Sequence, residues 1–421
     1  MRLRIAIASF ALLICVAGMP VYGSGDLIDA AVESDEARLP GVELAKTLAT
    51  ATGIAITPLL GVSAVGAWKY YSTDPTLRAA LPWYSSRWFW IPGLVIAFLL
   101  VVKDPLLGII PGAKKPLDAV DVLENKASAL LATPAVVPMF LSAFSTAGAM
   151  RVATGGEGMI VTQAGIAAMP GFLRDLPQAI GLGIGALVFL AAFLCIWLAF
   201  HTINVLILLS PFGPLDLFLR SLKLLSLVVL IGGTLIHPYL GLAVSIAILL
   251  VAIPLAGWSF RLMVFGGVLA TDLLTLRHRR EVPDPARLRV FTARELEGVG
   301  ARTYGDVSRV ETGIVFRYRP WLLLPRRTVL LSPGAYEIGR GLVCPILRWQ
   351  QDDGDAVSLL RFPPRYRSHE ESLMATLDVA GVQDLRLRRG LKACVAWVKE
   401  MAGRGGEVAA QMASSARDAL P

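Results

Sequence analysis

Residues 179–209 read AIGLGIGALVFLAAFLCIWLAFHTINVLILL, with no Asp, Glu, Lys or Arg among them. At 1.5 Å rise per residue a helix of this length extends about 46 Å, more than the roughly 30 Å of a bilayer's hydrocarbon core. An apolar run this long and free of charge is the mark of a transmembrane helix. Gly181, Gly183 and Gly185 give its first turns a small-residue face suited to close helix packing. His201 and Asn204 stand near its far end, three residues apart and so on one helix face.

The same pattern spreads outward in both directions. Ser210-Pro211-Phe212-Gly213-Pro214 breaks the helix, and Leu224–Gly257 is long enough for two spans divided near His237-Pro238. A last apolar block, Leu262–Leu276, ends in Arg277-His278-Arg279-Arg280. Toward the N-terminus, Ala127–Met150 is an Ala/Leu-rich block broken by Pro134 and Pro138. Before it, Trp88-Phe89-Trp90 opens an aromatic-anchored block running to Val102. Val42–Trp68 forms a further apolar block interrupted by Pro58 and closed by Lys69-Tyr70-Tyr71. Counting these blocks predicts seven spans, starting near residues 43, 88, 127, 179, 223, 239 and 260. The short proline-broken ones are alternatively re-entrant, which membranes tolerate where protein or a water cavity covers the backbone.

Composition agrees with this reading. Over 421 residues, 55% are hydrophobic and only 17% charged, against about 25% charged in soluble proteins. The net charge of +8 is concentrated after residue 276, where 24 Lys/Arg face 17 Asp/Glu. A basic flank beside the last apolar block predicts a cytoplasmic C-terminus. The dispersed arginines, without an accompanying motif, exclude nucleic acid as an expected partner. The expected partners are the lipid bilayer and, for the basic domain, anionic lipid headgroups or a protein. Cys15, Cys195, Cys344 and Cys394 have no CxxC spacing, so no disulfide framework or zinc site is expected.

The N-terminus reads as a Sec-type signal over residues 1–23: Met1-Arg2-Leu3-Arg4, an apolar run, then Val21-Tyr22-Gly23 before the expected cleavage. An uncleaved anchor is the alternative. Residues 24–41 are acidic and expected outside the cytoplasmic membrane, which reads as a bacterial inner membrane. The helical membrane domain is expected over 42–276, a basic cytoplasmic domain over 277–404, and a flexible tail over 405–421. In the basic domain, strand-like runs occupy Gly313–Tyr318, Thr328–Leu331 and Val357–Phe362, with turns at Ser332-Pro333-Gly334 and Asp352-Asp353-Gly354. An amphipathic helix is expected over Leu385–Met401. The fold class is therefore mainly α: a polytopic transmembrane bundle with a small α+β cytoplasmic domain. Strands closed by a C-terminal helix follow the element order of PH-like or GRAM-like barrels, an analogy that does not fix function.

No HExxH, GxSxG, P-loop or metal-ligand cluster occurs, so neither enzyme activity nor a cofactor or metal is expected. Gly155-Gly156-Glu157-Gly158 lacks the strand and helix that a phosphate loop needs and reads as a plain loop. The informative residues are polar ones at membrane depth, which are costly there and usually face a cavity or partner. His201, Asn204, Asp216 and Arg220 form the candidate intramembrane polar site. The bland readings are a hydrogen bond from His201 and Asn204 to a neighbouring helix, and an intrahelical Asp216–Arg220 pair. Asp118, Asp121 and Glu124, set among Leu117, Val120 and Leu123, form a candidate interfacial acidic segment on an amphipathic helix. Asp272 is expected to pair with Arg277 or water.

Residues 53–138 resemble the DUF4126-like family of bacterial integral membrane proteins, whose function is not established. The resemblance is carried by Pro58-Leu59-Leu60-Gly61-Val62-Ser63-Ala64-Val65-Gly66, Leu81-Pro82-Trp83, Ile110-Pro111-Gly112 followed by Asp118 and Asp121, and Thr133-Pro134-Ala135. Residues 113–117, between Pro-Gly and the first Asp, depart from the family's spacing. The resemblance implies a membrane fold and no mechanism. The Gly-rich helices, proline-broken spans and intramembrane polar residues instead make a transport or lipid-handling component the expected function. The alternative is a non-catalytic scaffold or sensor whose cytoplasmic domain binds headgroups or a protein.

Overall fold

The structure, a computed structural model, describes residues 42–107, 114–153, 171–210, 213–277, 284, 288–294, 296, 298–331, 333–341, 344–350 and 356–384. The expected signal, the acidic N-terminus, the Gly155–Gly158 loop, the turn at 352–354, the helix at 385–401 and the tail lie outside them. The chain is mostly helical, with a C-terminal sheet. It divides into two compact units: Met1–Ile207 with Pro214–Ala256, and Leu208–Gly213 with Gly257–Pro421.

In the first unit the block 42–68 is two helices, α1 (Val42–Ile56) and α2 (Pro58–Ser72), rather than one span. Proline lacks an N–H and pushes the residue before it out of the helical region; Thr57 sits at φ −138°, ψ 83°. In a straight helix seven residues would separate Ile54 from Gly61 by about 10 Å. Here a Cβ built on Gly61 would lie 2.7 Å from the Cα of Ile54, so the chain folds sharply at Thr57. Each helix has 15 residues and rises about 22 Å, too short for the hydrocarbon core.

Helix α2 leads through two 3-10 turns, Pro75–Ala80 and Trp83–Ser85, into α3 (Arg87–Leu107). Aromatic and cationic side chains gather at this end. Lys69 Nζ donates to the Tyr84 hydroxyl at 3.0 Å, Trp83 meets Phe89 edge-on at 4.7 Å, and the Tyr70 ring carries Arg78 at 4.5 Å. Trp88 is 92% exposed. Such a cluster of amphipathic rings suits a membrane–water interface.

Close approach here depends on glycine. A Cβ on Gly66 would lie 2.0 Å from the carbonyl oxygen of Tyr84, and backbone cannot swing aside as a side chain can. Gly66→Val is expected to destabilise the first unit by about 1–3 kcal/mol, read as a lower Tm of the detergent-solubilised chain. An unchanged Tm would show that α2 does not pack as described.

Helix α4 (Lys114–Ala153) runs 40 residues and carries Pro134 and Pro138 internally. The acidic segment expected to lie at an interface is the first part of this long helix, continuous with the block expected to begin near 127. Helices α5 (Gly171–Leu209), α6 (Gly213–Ile236) and α7 (Pro238–Leu274) follow. Three helices among the described residues are long and apolar enough to cross a membrane: Gly183–Leu209, Pro214–Ile236 and Pro238–Leu274. Only 28%, 11% and 17% of their apolar windows are buried, so most of this hydrocarbon faces outward, as lipid contact requires.

The blocks expected as separate spans from about 239 and 260 are one uninterrupted helix, α7. Gly257 costs a helix only about 1 kcal/mol, and nothing between it and Arg261 stops the turns. At 37 residues α7 rises about 55 Å, nearly twice the core thickness. Its end, from Gly257 onward, belongs to the second unit.

Among the described residues that unit holds eight strands: β1 (Leu288–Thr292), β2 (Tyr304–Val310), β3 (Gly313–Tyr318), β4 (Arg327–Leu330), β5 (Tyr336–Arg340), β6 (Ile346–Gln350), β7 (Ala356–Arg361) and β8 (Val382–Asp384). Their order is β4-β3-β2-β1-β7-β6-β5-β8. Two antiparallel meanders, β1–β4 and β5–β7, join through β1 and β7, and β8 adds parallel to β5. The strand at Gly313–Tyr318 matches its expected bounds. Those expected at 328–331 and 357–362 each lie one residue earlier. Leu288, Ile314, Phe316, Ile338, Leu347, Leu360 and Phe362 fill the core. Leu373 and Leu377 of the short helix α8 (Glu370–Leu377) pack into it as well.

The stripe Leu262, Phe265, Leu269 and Asp272 on α7 is buried, at the i, i+3, i+7 spacing of one helix face. Phe265 meets Phe291 of β1 edge-on at 4.9 Å, and Arg302 lies over its ring. Arg261 Nε donates to the Ala301 carbonyl at 3.1 Å. Asp272, expected to pair with Arg277 or water, takes Arg365 as its partner: Arg365 Nε donates to its Oδ2 at 2.9 Å, and the Arg365 backbone N–H at 3.3 Å. Cys195 and Cys344 are free thiols, and burial pushes the Cys344 thiol up to about 12.

Candidate functional site, a polar seam across three helices

Three helices of the first unit each present a polar stripe at helical spacing. On α4 these are Asp118, Asp121, Asn125 and Ser128; on α5, Trp197, His201 and Asn204; on α6, Asp216, Arg220 and Lys223. Residues three, four or seven apart share a face, so each helix carries its polar groups on one side. Asp118, Asn125, Ser128, His201 and Asp216 are buried, His201 completely. Asp121 and Glu124 are half-buried.

Side chains join the stripes. The Arg220 guanidinium of α6 donates to Asp118 Oδ1 of α4 at 3.2 Å. Lys223 Nζ reaches Asn204 Oδ1 of α5 at 3.4 Å, while within α4 Ser128 donates to Glu124 at 2.5 Å. The two groups of candidate residues, the polar one and the acidic one, therefore meet through Arg220 and Asp118. Besides the intrahelical pairing with Asp216 that its spacing suggests, Arg220 has a partner across the seam in Asp118 of α4.

The centre of the seam is Asn125, whose Oδ1 lies 3.1 Å from Trp197 Nε1 and 2.9 Å from His201 Nδ1. Indole nitrogen only donates, so the Asn125 atom facing it must be the oxygen. An amide oxygen only accepts, so His201 Nδ1 must carry the hydrogen. In the neutral ring Nε2 is then the bare acceptor. That atom is fully buried and has no hydrogen-bond partner among the described residues. The imidazole is further fixed by stacking on Trp197, with centroids 5.2 Å apart at 27°.

Asn125 and Trp197 were not singled out in the sequence. The signal was there for Asn125, which stands seven residues after Asp118 on the same face. Trp197 carries no such signal, since an aromatic ring is ordinary within an apolar membrane helix. Asn125→Ala would strip both donors of their acceptor, and an unpaired buried group costs about 1–3 kcal/mol. The expected result is a correspondingly lower Tm in detergent, with Asn125→Asp less affected because it keeps an acceptor. Equal loss in both variants would contradict the assigned hydrogen-bond directions.

A separate recess of about 40 Å³ is lined by side chains including Leu48, Ala51, Thr52, Phe193, Ser245 and Leu249. It is apolar, includes none of the seam residues, and is far smaller than the roughly 300–1,000 Å³ of small-molecule pockets. Among the described residues no three His, Cys, Asp or Glu side chains gather as a metal site. Comparison of the chain with family profiles, curated proteins and solved structures finds no match in any of the three.

Proposed function

We propose that this chain is a multi-pass membrane protein acting in transport or lipid handling, with the seam of α4, α5 and α6 as its polar site. The observation that carries the reading is His201: a completely buried imidazole, oriented by Asn125 and Trp197, whose Nε2 lone pair has no partner among the described residues. Ionisable residues at membrane depth mark substrate or ion paths more often than they serve packing. The fold at Thr57 adds support, since discontinuous helices often frame transporter sites. The group received would be a hydrogen-bond donor, with Asp118, Arg220 and Lys223 supplying charge nearby.

The orientation proposed is a cytoplasmic C-terminus in a bacterial inner membrane, on the basic surplus after residue 276. The second unit's two joined meanders suit a PH-like module. That order favours a second reading, a scaffold or sensor whose domain binds headgroups or a protein.

Cysteines placed at His201 and Asn204 in an otherwise cysteine-free chain test the first reading. A solvated path predicts reaction with small aqueous thiol reagents in intact membranes, slowed by bulkier ones. Complete protection at both positions would sink the transport reading and leave the seam as packing.

A further inference from the structure

The loop between β3 and β4 reads Arg319-Pro320-Trp321-Leu322-Leu323-Leu324-Pro325-Arg326-Arg327. It leaves four large apolar side chains uncovered by protein: Trp321, Leu322, Leu323 and Leu324 are 47%, 42%, 89% and 48% exposed. A soluble domain gains nothing by this, and one tight loop concentrates the four into a single patch. The backbone is also held in an unfavourable shape. Trp321 and Leu322 both have positive φ, 53° and 60°, a region bulky residues avoid. The Leu322 and Leu324 N–H groups donate to the Arg319 and Pro320 carbonyls at 3.1 Å, which holds the turn. Strain kept at an exposed apolar tip points to use rather than packing.

Its position along α7 says where the tip lies. Tyr239 and Trp258 are the kind of rings that settle at the two membrane–water boundaries; nineteen residues separate them, about 28 Å of helix. The second boundary thus falls near Trp258. The Trp321 ring lies 4.9 Å from Phe260 and 3.8 Å from the Cβ position of Gly257, at that same level. Charge agrees: Arg319, Arg326 and Arg327 are exposed around the leucines, Arg326 near Asp306 at 3.9 Å. No acidic residue occurs between Glu311 and Glu337.

We infer that Trp321–Leu324 is a wedge inserted into the leaflet that α7 leaves, with Arg319, Arg326 and Arg327 binding anionic lipid headgroups around it. The leucines enter the acyl region, the tryptophan sits at the boundary, and the arginines draw headgroup phosphates by charge-assisted hydrogen bonds. This rests on α7 as a membrane span and not on the polar seam.

The test uses the full chain without its native cysteines, reconstituted into phosphatidylglycerol-containing vesicles. A polarity-sensitive fluorophore is attached at Leu323→Cys, at Leu250→Cys within the span, or at Glu311→Cys on an exposed turn. Lipid-borne nitroxide should quench positions 323 and 250 several-fold more than 311, and aqueous iodide should do the reverse. Arg319→Glu, Arg326→Glu and Arg327→Glu together should move 323 toward the behaviour of 311, as should vesicles of phosphatidylcholine alone. Quenching at 250 but not 323 overturns the wedge while leaving the span intact; no quenching at 250 overturns both. Protection of 323 from iodide and nitroxide alike means that a protein covers the loop, and it also overturns the inference. Equal lipid quenching in charged and uncharged vesicles overturns the headgroup part.

Discussion

Replacing Asp272 with alanine is expected to destabilise the sheet-bearing unit by about 3–5 kcal/mol, the usual cost of breaking a buried ion pair from one side. The Asp272 side chain is 0% and that of Arg365 5% exposed. Removing the carboxylate takes away the Oδ2 acceptor to which the Arg365 guanidinium and backbone N–H both donate. The loss arises from depriving a buried guanidinium of a charged acceptor more than from the pair's intrinsic worth. Asp272→Ala with Arg365→Met should therefore regain most of it, because an apolar replacement of the whole pair is often nearly neutral. Denaturant unfolding of the detergent-solubilised chain, followed by tryptophan fluorescence, reads both. A single variant within about 0.5 kcal/mol of the parent, as an ordinary surface change would be, would refute the burial of this pair.

Phe265→Ala should cost about 3–5 kcal/mol, as loss of a buried phenyl group does. Its ring is 2% exposed, meets Phe291 edge-on and lies beneath Arg302. Phe265→Leu keeps most of the volume and should cost less than about 1.5 kcal/mol. If leucine proves as damaging as alanine, ring-specific contacts rather than volume hold α7 at this point. Phe265 and Asp272 stand seven residues apart on one face of α7, so their effects need not add. The double variant measures how far the two anchors act as one.

Much of the fold was readable from local pattern. Long charge-free runs identify membrane-length helices because nothing else in a protein tolerates so much exposed hydrocarbon. Pro58 marks a break because proline's ring forbids the preceding helical turn, and the β-branched and aromatic residues of Gly313–Tyr318 announce a strand. The members of the candidate site were readable as well. His201, Asn204, Asp216, Arg220 and the acidic residues of α4 stood out because polar groups are costly in apolar surroundings.

The partners were not readable. Each helix face was visible, but which faces meet depends on how α4, α5 and α6 are brought together, over separations of 76 residues for Asn125–His201 and 102 for Asp118–Arg220. The end of the last span failed to show for a related reason. Helix α7 is apolar on nearly every side, so no periodicity separates the part suited to lipid from the stripe that docks on the sheet.

By itself, then, the sequence determined that this chain has membrane-length helices, a break at Pro58, a basic sheet-bearing unit and a handful of costly polar groups among apolar ones. Each is a property of a few adjacent residues, set by hydrophobicity, proline geometry and charge. Only the tertiary structure decided that Asn125 orients His201, that Arg220 reaches Asp118, that Asp272 takes Arg365, and that the apolar blocks near 239 and 260 form one helix. These are choices among distant groups that are chemically alike. Hydrogen-bond and ion-pair energies act only at contact, so packing selects the partner.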